Sequence, residues 1–123
     1  GDRARQVPLL VIQGEDDTVV PPIVATRLVE QWTAVGDLVD DGLLNDSLTL
    51  TEASATVPSA PGRYAYTQTA LTAPNGPAHI EVYLVQAMGH VWPGPTGDGL
   101  FTDPAGPDAS AIVWDFAREH PKP

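Results

Sequence analysis

Residues 7 to 13, VPLLVIQ, are apolar without interruption until the last position. A half-buried strand alternates, because successive side chains point to opposite faces. An unbroken run reads instead as a strand covered on both faces, the habit of parallel sheets flanked by helices. Gly14 ends the run, the acidic residues Glu15, Asp16 and Asp17 follow, and Pro21 and Pro22 restrict the exit. Pro22 suits the first turn of a helix, where its missing N–H costs nothing. A helix is expected from Pro22 to Val35, its apolar stripe made by Val24, Leu28, Trp32 and Val35 with Val29 beside them, and Gly36 as its cap. Strand, loop and helix make a β-loop-α unit, which sets the fold class as α/β.

The rest of the chain is read from its punctuation. Residues 37 to 62 hold scattered acidic residues and leucines with no sustained period, so a surface excursion is expected, with a short strand at 48 to 51. RYAYTQTALTA at 63 to 73 and HIEVYLVQ at 79 to 86 are rich in β-branched and aromatic residues and flank Asn75-Gly76, a strong hairpin signal. They are expected to be antiparallel neighbours. The glycine- and proline-rich stretch from Met88 to Pro107 is expected to be neither helix nor sheet but an ordered loop of the active-site type or a flexible one. A last helix begins near Pro107 or Asp108, with Asp108 positioned to cap it and Ile112 and Phe116 on its inner face beside Ala109 and Val113.

Composition removes several function classes. Sixteen Asp and Glu against six Lys and Arg give a net charge of −10, and such a surface repels nucleic acid, whose binding depends on cationic groups displacing counterions. With no cysteine there is no disulfide, thiolate zinc site or cysteine nucleophile. No apolar run approaches the roughly 20 residues of a membrane-spanning helix. Asp37, Asp40, Asp41 and Asp46 lack the one-three-five ligand rhythm and terminal glutamate of a calcium loop, so no metal is expected there. At 123 residues the chain fits one domain.

Two positions carry chemistry. General-base catalysis of acyl transfer needs an imidazole to take a hydroxyl proton and a carboxylate to fix its tautomer. Asp17 and His90 each stand on a loop a few residues after a predicted strand, so adjacent parallel strands would bring them to one edge of a sheet. Each has a plainer reading: Asp17, like Asp16, as a solvated turn residue, and His90 as a structural histidine bonded to backbone. His79 and His120 have no supporting context. Trp92 either lines a substrate cleft or packs under its loop, and Trp32 and Trp114 are read as packing residues on helices.

GEDDTVVP matches the G-x-x-D-x-x-V-P acid loop of α/β-hydrolases, and MGHVWPG with GPDASAIVWDFAREHP resembles the end of the polyhydroxybutyrate-depolymerase and feruloyl-esterase-like group of secreted esterases. The resemblance spans nearly all of the chain. It implies a serine esterase of that type with His90 as base, Asp17 as its orienter and Trp92 as a wall of the substrate cleft. It also implies no cofactor, an ester substrate, small or polymeric, and a secreted or cell-surface location.

The nucleophile that the resemblance requires is missing. Ser47, Ser54, Ser59 and Ser110 are the only serines, and none sits in a G-x-S-x-G turn. GDRARQVPLL has no apolar segment after its basic residues and is not read as a signal peptide. Residues 1–123 are therefore expected to form the carboxy-terminal half of an α/β-hydrolase domain, a partial fold with a mostly parallel sheet and a β-hairpin. Its partner is the missing amino-terminal half, and the chain alone is expected to be inactive. The rival expectations are a non-catalytic binding domain on the same scaffold and a hydrolase of another substrate class, such as a peptidase or a dienelactone hydrolase.

Overall fold

The computed structural model describes residues 7–41, 50–73, 78–95, 99 and 101–121. The elements in chain order are β1 (Leu9–Gly14), α1 (Pro22–Asp41), β2 (Thr51–Val57), β3 (Tyr66–Thr72), β4 (Ala78–Val85), β5 (Trp92–Pro93), β6 (Thr102–Asp103) and α2 (Ala109–Glu119). Four strands form one sheet in the order β1-β4-β3-β2, and β5 and β6 make a small separate parallel pair.

The expected mostly parallel sheet, and with it the partial α/β-hydrolase fold, is overturned. Only β1 and β4 run parallel in the main sheet, from Leu9 opposite Ile80 to Gly14 opposite Val85. β4 pairs antiparallel with β3, and β3 antiparallel with β2. Connection length is the physical reason: a parallel neighbour needs a crossover of a dozen or more residues, whereas the short links from β2 to β3 and from β3 to β4 can only return the chain antiparallel. The long excursion through α1 and the two hairpin strands supplies the one crossover. The result is a mixed four-stranded sheet with two helices.

The β3–β4 pairing matches the expected antiparallel neighbours, while the Asn75-Gly76 turn between them lies outside the described residues. So do Ser47, Asp46 and the side chains of Asp37, Asp40 and Asp41. The short strand anticipated at 48 to 51 begins instead at Thr51 and runs to Val57. Alternating Thr, Ser and Ala in TEASATV give it the period of a strand, but its lack of large apolar residues hides it from a search for hydrophobic runs.

β1 has a helix over each face of its sheet. α1 shares a cleft of about 260 Å³ with Leu71, Val82 and Leu84 on one face, and α2 lines a cleft with Tyr66, Gln68 and Tyr83 on the other. Ile80, Tyr83, Val85 and Met88 are buried with Ala25 of α1 and Ala109 of α2. Beyond Val35, α1 continues to Asp41, so Gly36 is an interior, buried residue rather than a cap. The inward face of α1 is Ala25, Leu28, Val29, Trp32 and Gly36, whereas Val24 and Val35 are exposed. Small residues on that face let the helix approach the sheet, which turns the two valines outward. The Trp32 indole N–H donates to the Val7 carbonyl at 2.6 Å and ties α1 to the entry of β1.

α2 begins as expected. The Asp108 carboxylate accepts from the Ala111 N–H at 3.1 Å, satisfying one of the free donors of the first turn. Ile112 and Phe116 are half-buried, and Phe116 stacks against His120. Val113 and Trp114 are exposed, so Trp114 is not a packing residue. No helix among the described residues is long and apolar enough to cross a membrane.

Amide hydrogen exchange should rank β4 as the slowest strand, because β4 is hydrogen-bonded on both sides and carries half of the buried apolar residues, with β1 and β2 faster. Protection of β1 equal to that of β4 would contradict its edge position. Replacing Asp108 with Ala should lower the unfolding free energy by about 1 kcal/mol in urea titration.

Candidate active site

The parallel β1–β4 pair ends with Gly14 beside Val85, so the loops leaving the two strands emerge side by side. Backbone bonds lace them together: the Glu15 N–H donates to the Val85 carbonyl at 2.9 Å and the Asp16 N–H to the Met88 carbonyl at 3.0 Å. A side chain at residue 14 is impossible without movement. A β-carbon there would overlap the Met88 carbonyl oxygen and lie 2.6 Å from that of Gly89. Gly14 is thus required by the approach of the histidine loop, not only as the end of a strand.

That approach brings Asp17 and His90 together across 73 residues of sequence. The His90 Nδ1–H donates to the Asp17 Oδ2 at 2.9 Å. The other carboxylate oxygen, Oδ1, accepts from the backbone N–H groups of Val19 at 2.9 Å and Val20 at 2.8 Å. Thr18 and Val19 are exposed, so the carboxylate is held by the path of its own loop. Asp16, the neighbouring alternative, is exposed, and the carboxylate bonded to His90 is that of Asp17.

Burial works against the ionised Asp17 carboxyl, but the Val20 N–H, the His90 ring and the Val19 N–H together outweigh it and hold its pKa below the ordinary carboxylate value. An ionised carboxylate can only accept, so the shared proton belongs to His90 Nδ1 and leaves Nε2 as the ring's free acceptor. The two side chains differ sharply in exposure, 53% for His90 and 6% for Asp17. A fixed, dry carboxylate thus orients a ring whose opposite nitrogen faces outward, the arrangement general-base catalysis requires.

Trp92 lies two residues beyond His90 in β5, half-exposed, with its indole N–H donating to Ser110 Oγ at 3.3 Å. Its backbone N–H donates to the Phe101 carbonyl, which folds the 92–103 loop back on itself. The stretch from Met88 to Pro107, expected to hold no regular structure, contains the short β5–β6 pairing for this reason. Ser54 is hydrogen-bonded to Thr69 on the far strands, and Ser59 is exposed beyond β2. No hydroxyl bonds to the outward nitrogen of His90 among the described residues, and no cluster of His, Asp and Glu there can hold a metal ion.

Several supporting residues escaped the sequence reading. Gln13 is buried, and its amide donates to the carbonyls of Val20 at 2.8 Å and Gly14 at 3.0 Å, closing the acid loop at both ends. Its signal was present: a lone polar side chain at the end of an apolar strand. The Tyr64 hydroxyl donates to Asp103 Oδ2 at 2.7 Å, pinning the far end of the histidine loop. That bond, with burial and the nearby charges of Asp103 and Asp16, raises the Tyr64 pKa. Ala87 adopts φ of 62°, a left-handed conformation that costs a β-carbon-bearing residue of order 1 kcal/mol and sharply turns the chain into Met88 and His90.

A carboxyl whose folded pKa is depressed contributes stability in full above its unfolded value, near about 3.9, and loses it as the pH falls through the folded value. The gap in unfolding free energy between wild type and Asp17→Ala should therefore narrow as the pH is lowered from 4 towards 2; a gap that widens would contradict the assignment. Gly14→Ala should cost about 1–3 kcal/mol in urea unfolding, while Ala87→Gly should be neutral or stabilising by up to about 1 kcal/mol. No protein-family model matches this chain and no curated protein matches it.

Proposed function

We propose that Asp17 and His90 are the acid and base of a serine carboxyl-ester hydrolase, with the nucleophilic serine supplied from outside the described residues. The observation that carries this reading is the 2.9 Å bond from His90 Nδ1 to a carboxylate whose second oxygen is occupied by two backbone N–H groups. The likeness of the two loops to those of polyhydroxybutyrate depolymerases and feruloyl esterases supports the same chemistry. It is a likeness of motifs and is independent of the sheet topology.

In this mechanism His90 Nε2 takes the proton of the serine hydroxyl as its oxygen attacks the ester carbonyl. Asp17, ionised and fixed, stabilises the imidazolium that forms. The imidazolium then protonates the departing alkoxide, leaving an acyl-serine. Water then gives its proton to Nε2 as its oxygen attacks the acyl carbonyl, the serine oxygen leaves and takes that proton back from Nε2, and the acid is released. Oxyanion donors must come with the serine, since they supply much of the stabilisation of the tetrahedral intermediate. Trp92, half-exposed two residues past the base, is placed in this proposal as a wall for the bound ester.

The absence of a hydroxyl on the outward nitrogen, among the described residues, favours one second reading, a binding domain that uses the scaffold without catalysis. Hydrolysis of short acyl, feruloyl and peptide substrates separates the readings. In a polypeptide that joins these residues to a serine-bearing segment, His90→Ala and Asp17→Asn should each lower kcat by roughly 10³- to 10⁴-fold on esters. The chain alone should show no His90-dependent turnover. Undiminished ester cleavage by His90→Ala would sink the proposal, and cleavage of peptides only would reassign the substrate class.

A further inference from the structure

We infer that β2 is a homodimerisation edge, on which a second copy of this chain adds its own β2 in antiparallel register to make one continuous eight-stranded sheet. β2 is the outermost strand opposite β1, and among the described residues nothing pairs with its outer side. All seven of its residues are exposed. An edge strand of this kind presents a row of backbone donors and acceptors, and proteins that stay monomeric blunt it with lysine, proline, bulges or inward charges. β2 has one such device, the carboxylate of Glu52 on the face towards α1, and no lysine, proline or bulge. It pairs without a bulge along its whole length with β3, and its sequence, TEASATV, carries a single charge, Glu52.

The sequence of the strand also selects its partner. A twofold axis through Ser54, its middle residue, pairs Thr51 with Val57, Glu52 with Thr56, Ala53 with Ala55 and Ser54 with itself, so every residue of the strand is used. The pattern is nearly palindromic: small opposes small, and the only carboxylate faces a threonine rather than its symmetry mate. Moving the axis to Glu52 would place two carboxylates in direct opposition, which is destabilising. A foreign strand gains nothing from this symmetry, whereas a second copy sets like-sized residues against each other at every pair except Glu52 with Thr56. Such an isologous contact closes on itself and yields a dimer, not a fibre.

The geometry leaves the Asp17–His90 pair free, because that pair stands past the ends of β1 and β4, which β3 separates from β2. Two subunits of net charge −10 repel at long range, so association should strengthen with salt.

The chain has no cysteine, which makes cross-linking a clean readout. With the full chain, Ser54→Cys should form a disulfide-linked dimer under mild oxidation many times faster than Ala34→Cys, an exposed control on α1. Wild type should sediment as a dimer in 0.15 M salt at high micromolar concentration, with more dimer at higher salt. Ser54→Lys, which sets two like charges against each other at the axis, should sediment as a folded monomer whose thermal melt does not depend on protein concentration, whereas that of the wild type rises with concentration. A wild type that remains monomeric, a Ser54→Cys rate equal to that of the control, or a folded Ser54→Lys that still dimerises would each overturn the inference. Because cross-linking needs no folded lysine variant, the test stands even if Ser54→Lys unfolds.

Discussion

Everything chemical in this chain depends on the contact between the end of β1 and the turn that follows β4. The parallel register sets Gly14 beside Val85, and the missing side chain at Gly14 lets the Met88–Gly89 backbone come within a distance that no other residue permits. From that contact the Asp17 and His90 loops start as neighbours, and the 2.9 Å bond between their side chains follows from backbone geometry already in place. Gln13 and the N–H groups of Val19 and Val20 complete the arrangement from within the acid loop itself. The order of causes runs from strand pairing to loop spacing to side-chain orientation.

This order explains why the site was more legible in the sequence than the fold. The two loops are marked by local signals: a glycine after an apolar run, an aspartate three residues on, a histidine between glycine and tryptophan. Those signals need only one parallel pair to converge, and β1 and β4 provide it. The direction of the remaining strands is set by connection lengths, and the ambiguous stretch from 37 to 62 concealed where those connections began. TEASATV has a strand's period but no core-facing bulk, so its pairing with β3 emerges only when neighbouring strands are present.

The helices teach a related lesson. A stripe of large residues was expected to mark the buried face of α1, yet the face that packs includes Ala25 and Gly36, and Val24 and Val35 stand in solvent. Close approach of helix to sheet favours small residues, and hydropathy alone does not weigh them. On α2 the cap was legible because Asp108 acts locally through the Ala111 N–H, whereas the exposure of Trp114 depends on where the helix sits over the sheet. Signals that act within a few residues transferred faithfully from sequence to structure, and those that depend on distant neighbours did not.

The grip on Asp17 has a consequence for how this chain can drift over evolutionary time. Its donors are main-chain amides of Val19 and Val20, groups that every residue except proline possesses. Thr18 and Val19 point their side chains into solvent. These positions can therefore be rewritten while the aim of the imidazole stays the same. Precision is stored in the course of the polypeptide, and variability is left to the side chains it displays.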